Sequence, residues 1–245
     1  MNPESLILIT IALGAGAMVK GATGMGLPLV ALPVLATYFG IAHGLAILAL
    51  PLVVTNIWQV WRYRAHAGGA TFLPGLLIAG VFGIGLGTWA LTIVPERALG
   101  LGLALLVLIY IALRLVNPEL RISATIGRRL SPAVGVAAGA LQGATGISAP
   151  VGVTFIHAMR LDRDAHVFAV SAMFLLFAAT HLPALALAGI LTWDRLLEGV
   201  FALLPVLLMM PVGAWLARFL SRQAFDRAIM GLLCLITIKL IFDSL

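Results

Sequence analysis

Residues 20–28 read Lys-Gly-Ala-Thr-Gly-Met-Gly-Leu-Pro, and residues 142–150 read Gln-Gly-Ala-Thr-Gly-Ile-Ser-Ala-Pro. The tetrapeptide Gly21-Ala22-Thr23-Gly24 thus returns unchanged as Gly143-Ala144-Thr145-Gly146, displaced by 122 positions, and the same step carries Pro28 onto Pro150. Half of the 245-residue chain is about that length, so the step is the one a duplication leaves. Two later matches keep the order: Gly87-Thr88-Trp89 with Gly213-Ala214-Trp215 at 126, and Arg97-Ala98 with Arg227-Ala228 at 130. Each drift of four residues is about one helical turn, the size of a small insertion in a loop or helix end. The chain reads as two repeats, residues 1–120 and 121–245.

Composition decides the solvent. Hydrophobic residues make up 62% of the chain and charged residues only 10%, with a mean hydropathy of +1.13. A soluble domain carries about a quarter charged residues, so this chain cannot clothe a water-facing surface and turns most of it to lipid. Its 26 glycines and 12 prolines are tolerated in membrane helices, where neighbours satisfy the freed backbone groups. The expected fold is all-α and polytopic, with membrane lipid as a constant partner and room for roughly eight to ten spans of about 20 residues.

Each repeat divides into five apolar segments: about 5–20, 24–38, 42–61, 71–93 and 97–116, then about 130–142, 146–159, 166–190, 195–217 and 226–243. The first two of each repeat are short and meet at the Gly-Ala-Thr-Gly. An arm of about 16 residues spans about 24 Å, less than the roughly 30 Å hydrocarbon core. These arms form either a tight hairpin or a re-entrant pair that meets inside the membrane.

The net charge of +6 is arginine in short loops, which orients a membrane protein, so no nucleic-acid partner is expected. Eleven arginines (Arg62, Arg64, Arg114, Arg121, Arg128, Arg129, Arg160, Arg163, Arg218, Arg222 and Arg227) fall on one side if that side is the cytoplasm, leaving Arg97 and Arg195 in outer loops. The second hairpin then starts and ends in the cytoplasm. The first hairpin obeys the same pattern only if it starts outside, with the uncharged loop at Tyr38–His43 outside as well. The two repeats are therefore antiparallel, each a short helical hairpin plus three transmembrane helices. Inverted repeats with broken helices are the architecture of secondary transporters, whose substrate sites form near the midplane.

The breaks carry the candidate binding residues. Gly21, Gly24, Gly143 and Gly146 let the backbone turn and approach a ligand. The segment after each break presents a helix N-terminus suited to an anion, and Pro28 and Pro150 fit its first turn. Thr23, Thr145 and Ser148 add hydroxyls. Lys20 places an ammonium just before the first break, and its repeat mate is the amide Gln142. A charge at membrane depth is costly and marks function; the bland alternative is a lysine snorkelling to the surface, which is the reading for Lys239. Asn56 and His181 are candidates from the third segment of each repeat, with Thr55, Gln59, Ser171 and Thr180 near them. For each of these taken singly, interhelical hydrogen-bonding glue is an equal account.

Several classes are set aside. One cysteine, Cys234, excludes a disulfide framework and a two-cysteine redox centre. The five histidines show no metal-binding spacing, and His43, His66 and His166 are read as loop residues. All nine acidic residues are read as lying in loops or termini, so no paired intramembrane carboxylates are expected. No cofactor is implied. An intramembrane enzyme would have to pair Ser148 with His157 or His181, and no hydrolase motif surrounds Ser148. Residues 1–4 lack the basic region of a signal peptide, so the first apolar segment is expected in the mature protein.

The glycine-rich first hairpin, from Gly14-Ala15-Gly16 through Lys20-Gly21-Ala22-Thr23-Gly24 to Pro28, and its echo from Gly139 to Pro150, resemble the TauE/SafE family. The size, the two-part layout and the arginine-bearing central linker are similar too. The departure is Gly-Ala-Thr-Gly where many members carry a longer glycine run. The resemblance implies movement of small organosulfur anions, such as sulfite, sulfoacetate and other sulfonates, across the bacterial inner membrane. The residues independently suit a small anionic substrate and alternating access; an anion channel is the second reading, and a homodimer is compatible with both.

Overall fold

The computed structural model describes residues 3–116 and 121–217, together with Phe219 and Gly231. The last apolar segment (226–243), Cys234, Lys239, Arg218, Arg222 and the Arg227-Ala228 match lie outside the described residues. Those described are helical throughout: α1 (Pro3–Thr23), α2 (Leu27–Phe39), α3 (Ile41–Tyr63) with a 3-10 turn at Arg64–Gly69, α4 (Leu73–Ile93), α5 (Glu96–Val116), α6 (Ala124–Thr145), α7 (Ala149–Ala158), α8 (Arg163–Leu187) and α9 (Trp193–Leu216). Five of these, α1, α3, α4, α8 and α9, are long and apolar enough to cross a membrane. Large side chains stand exposed along them, including Phe82 at 69% and Trp89 at 62%. Exposed rings of this kind on apolar helices are what a lipid solvent calls for. The protein is a multi-pass membrane protein.

The hairpin arms are unequal, and this corrects the expectation of two short arms. α1 has 21 residues and α6 has 22, each about 32 Å long, and of the two α1 is also apolar enough to cross a membrane. Only the second arms are short, with 13 residues in α2 and 10 in α7. Polarity does not end α1 at Lys20; the helix runs on to Thr23 and stops where Gly24 takes φ +81°, as Gly146 stops α6 at φ +69°. A left-handed glycine is a common helix terminator. At its other end, α6 begins seven residues before Ser131 because Ser123 caps it, accepting a hydrogen bond from the Ile126 N–H. Arg128 and Arg129 therefore sit on its early turns, not in the linker.

The chain packs as two compact units that interleave the sequence repeats. Unit 1 comprises residues 1–51, 94–111 and 190–245; unit 2 comprises residues 52–93 and 112–189. In unit 1, α1 packs on α9 and α2. Gly21 lies against the carbonyl of Met210, and a Cβ there would also stand 3.1 Å from the Ala214 nitrogen. Gly213 lies against the carbonyl of Met18. In unit 2, α4 packs on α6. Gly143 lies against the Ile84 carbonyl, where a Cβ would stand 2.6 Å from the Thr88 nitrogen, and Gly87 lies against the Ala140 carbonyl.

These contacts correspond residue for residue. The step of 122 carries Met18 and Gly21 onto Ala140 and Gly143, and the step of 126 carries Ile84, Gly87 and Thr88 onto Met210, Gly213 and Ala214. One helix crossing is built twice, each time from the first helix of one half of the sequence and the fourth helix of the other. Small residues at such crossings let membrane helices gain van der Waals contact at backbone distance.

Two further expectations are corrected. His43 is in the first turn of α3, His166 is in α8, and His66 is in the 3-10 turn. Glu198 is not in a loop: it lies in the second turn of α9, 9% exposed, and pairs with His43.

Candidate functional site

In unit 1, α1 gives way to α2 across Gly24, Met25 and Gly26. The Gly24 N–H donates to the Lys20 carbonyl at 2.7 Å. The Thr23 hydroxyl lies between the carbonyls of Val19 (2.9 Å) and Met25 (2.6 Å) and accepts from the Met25 N–H. Gly26, at φ +103°, precedes α2 and supplies no side-chain cap. Lys20 is 2% exposed, in the last turn of α1, and so does not reach the surface.

In unit 2, the break between α6 and α7 repeats this wiring. The Gly146 N–H donates to the Gln142 carbonyl at 2.8 Å, and the Thr145 hydroxyl donates to Leu141 at 2.7 Å. The Ser148 hydroxyl donates to Gln142 Oε1 at 2.9 Å, which leaves the Gln142 NH2 as the amide's outward donor. Ser148 precedes α7 without capping it through its side chain. The three hydroxyls thus direct their hydrogens within the breaks and shape them; they are not arranged as ligand donors.

The two starts differ from those of α6, α8 and α9. Ser123, Asp162 and Thr192 cap α6, α8 and α9 through their side chains, as water-facing starts require. α2 and α7 begin with no side-chain cap and with Pro28 and Pro150 in the first turn, where the sequence placed them. Both starts are buried: Leu27 is 0%, Ser148 1% and Ala149 4% exposed. A buried helix start with uncapped N–H groups is a place for an anion.

Around the second break, unit 2 gathers further polar groups. The backbone of Gly143 lies within hydrogen-bonding reach of the His181 ring. His181 is 3% exposed, and its Nε2 has no hydrogen-bond partner. Thr88, whose nitrogen abuts Gly143, is likewise buried with an unpartnered Oγ1. Buried polar atoms without partners are uncommon and ask for a reason. Asn56 is fully buried in the same unit and donates to the Leu52 carbonyl at 2.7 Å. The structure therefore brings Gln142, Gly143, Thr145, Gly146, Ser148 and His181 together, with Asn56 in the same unit. It groups Lys20, Gly21, Thr23 and Gly24 in the other. Thr88 was missed, although the Gly87-Thr88-Trp89 match had already singled out its segment.

The description "Sulfite exporter TauE/SafE" belongs to a family model that matches residues 8–240. The chain belongs to this family. The match runs across both breaks and both helix crossings, so the glycine motifs of this TauE/SafE chain are read within a family of membrane transporters of sulfite and organosulfur compounds. No curated protein and no solved structure shows a significant match to the chain.

Proposed function

We propose that this TauE/SafE protein is a secondary transporter of a small oxyanion, a sulfonate or sulfite, working by alternating access in the bacterial inner membrane. The observation that carries the reading is the pair of buried helix starts without side-chain caps at α2 and α7, made by breaks that share the glycine N–H bond and the threonine hydroxyl bond to the preceding turn. Backbone N–H groups and the positive dipole end favour an oxyanion at each. Lys20 adds an amine beside one, and the Gln142 amide and the His181 imidazole stand beside the other.

The repeats are proposed to be inverted, and loop neighbours support this. In unit 1, the Glu96 carboxylate lies against Gly40, and Glu198 meets His43; the charge pattern places all three of these regions outside. In unit 2, His66 lies 3.7 Å from Asp164, and the Ile122 N–H donates to the Ala158 carbonyl at 2.9 Å; the charge pattern places these regions in the cytoplasm. A thermal-shift screen of the purified protein against sulfite, sulfonates, sulfate and carboxylates tests the substrate class. Stabilisation by sulfite or a sulfonate is expected, and stabilisation by carboxylates alone would overturn it.

A further inference from the structure

Glu198 is an acidic residue inside a membrane helix, and the breaks do not use it. Its carboxylate meets Nε2 of His43 at 2.5 Å, across 155 residues of sequence, with the two side chains 12% and 22% exposed. Backbone proximity delivers the contact: Gly199, the next residue, lets α9 approach α3 until a Cβ there would stand 3.2 Å from the Ile47 carbonyl. The Phe39 ring, centred 5.1 Å away, covers the imidazole.

The other charged groups at this end of unit 1 are Arg195, Glu96, Asp194 and Arg97. The Arg195 guanidinium donates to the Ile190 carbonyl at 2.7 Å. Glu96 rests its carboxylate on Gly40, three residues before His43, and so adds negative charge. Asp194 stands one turn before Glu198 on α9, and Arg97 follows Glu96 at the start of α5.

We propose that His43 and Glu198 form a proton-binding site through which transport is coupled to one proton, an inference that rests on the transport reading above. With a neutral imidazole, Nε2–H donates to the carboxylate and the pair carries one negative charge. A proton taken from water binds Nδ1, and the pair becomes an imidazolium–carboxylate with no net charge. In a half-buried setting the neutral, charge-assisted pair is the form that suits a closed α3–α9 contact. Proton binding and that contact therefore favour each other, and by linkage a movement that parts the helices returns the proton to water.

The test uses the full chain in liposomes with labelled sulfoacetate, whose charge is constant between about pH 6 and about pH 8. Two rates are compared: exchange of sulfoacetate at equal pH, and net uptake driven by a pH gradient. In the wild type both are expected. In Glu198→Gln, exchange stays near the wild-type rate while the gradient-driven component falls about tenfold, and Glu198→Asp restores part of it. His43→Gln, carried as a second variant in case one folds poorly, shows the same split. Exchange in the wild type with no response to the gradient overturns the proton site and leaves transport standing, as does a full gradient response in both Gln variants. Absence of exchange with both sulfoacetate and sulfite overturns the transport reading, and the proton site with it.

Discussion

Replacing Gly87 with alanine tests the idea that the α4–α6 crossing holds unit 2 together. The added Cβ would stand 2.8 Å from both the Ala140 carbonyl carbon and the Ala144 nitrogen, whereas ordinary contact begins at 3.4 Å. The helices must therefore part by at least about 0.6 Å, a gap that forfeits roughly a quarter or more of the dispersion energy of each atom pair along the crossing. Overpacking of this kind costs about 1–3 kcal/mol. Alanine recovers about 0.5–1 kcal/mol as the better helix former, so the net loss is about 1–2 kcal/mol, or about 5 °C in unfolding midpoint. Gly85, in the same helix, supplies the control: nothing lies within 4 Å of its Cβ position, so Gly85→Ala keeps or slightly raises the midpoint. Tryptophan fluorescence during heating of the detergent-solubilised protein reads both. The duplicated crossing requires that Gly213→Ala, whose Cβ would stand 2.6 Å from Met18 backbone carbons, behave like Gly87→Ala. Equal midpoints for Gly87→Ala and Gly85→Ala would refute the reasoning.

The remaining predictions concern the breaks and the orientation. Lys20→Ala, which removes a buried cation, should abolish stabilisation by sulfite or sulfonate in a thermal-shift assay while the protein still elutes as a folded species; undiminished stabilisation would reduce Lys20 to a structural residue. Ser148→Ala breaks the hydroxyl bond to Gln142 and should cost about 1 kcal/mol of stability, together with a weakened anion response because the amide is no longer oriented; a response equal to wild type would show that the bond orients nothing. Cysteines placed at 64 and 160 should label with an impermeant reagent only from the cytoplasmic side, and one at 195 only from the outer side. Labelling of 64 and 160 from opposite sides would sink the inverted topology.

Much of the fold is legible because glycine acts locally. The repeated Gly-Ala-Thr-Gly announces two breaks, and both carry the glycine N–H bond and the threonine hydroxyl bond to the preceding turn. The length of α1 is less legible, since Lys20 reads as the end of an apolar segment while the backbone continues to the left-handed Gly24. Arginine misleads in the same way at α6, because Arg128 and Arg129 lie on a helix that Ser123 starts. Gly87 and Gly213 could be matched as repeat mates, but no local signal says that each faces the first helix of the other repeat. The His43–Glu198 contact is invisible for the same reason: an acidic residue near a segment end looks solvated until the fold supplies a partner from far along the chain. Site residues in one short stretch, such as Gln142 and Ser148, were found together. Thr88 was found only by asking which buried hydroxyl had no partner.

The interleaving of the repeats fixes an order of assembly. Unit 2 uses only residues 52–93 and 112–189, so all of its helices precede α9 in the chain. Unit 1 starts with α1 at the beginning of the chain, yet the partner that fills its glycine face is α9, Trp193–Leu216. The face of α1 that carries Gly14 and Gly21 is thus filled only after unit 2 has been made. Non-local pairing of this kind slows folding and lengthens exposure to wrong partners. A chain truncated before Trp193 and released into the membrane should accordingly hold a protease-resistant unit 2 beside an α1 still free to associate with other membrane helices.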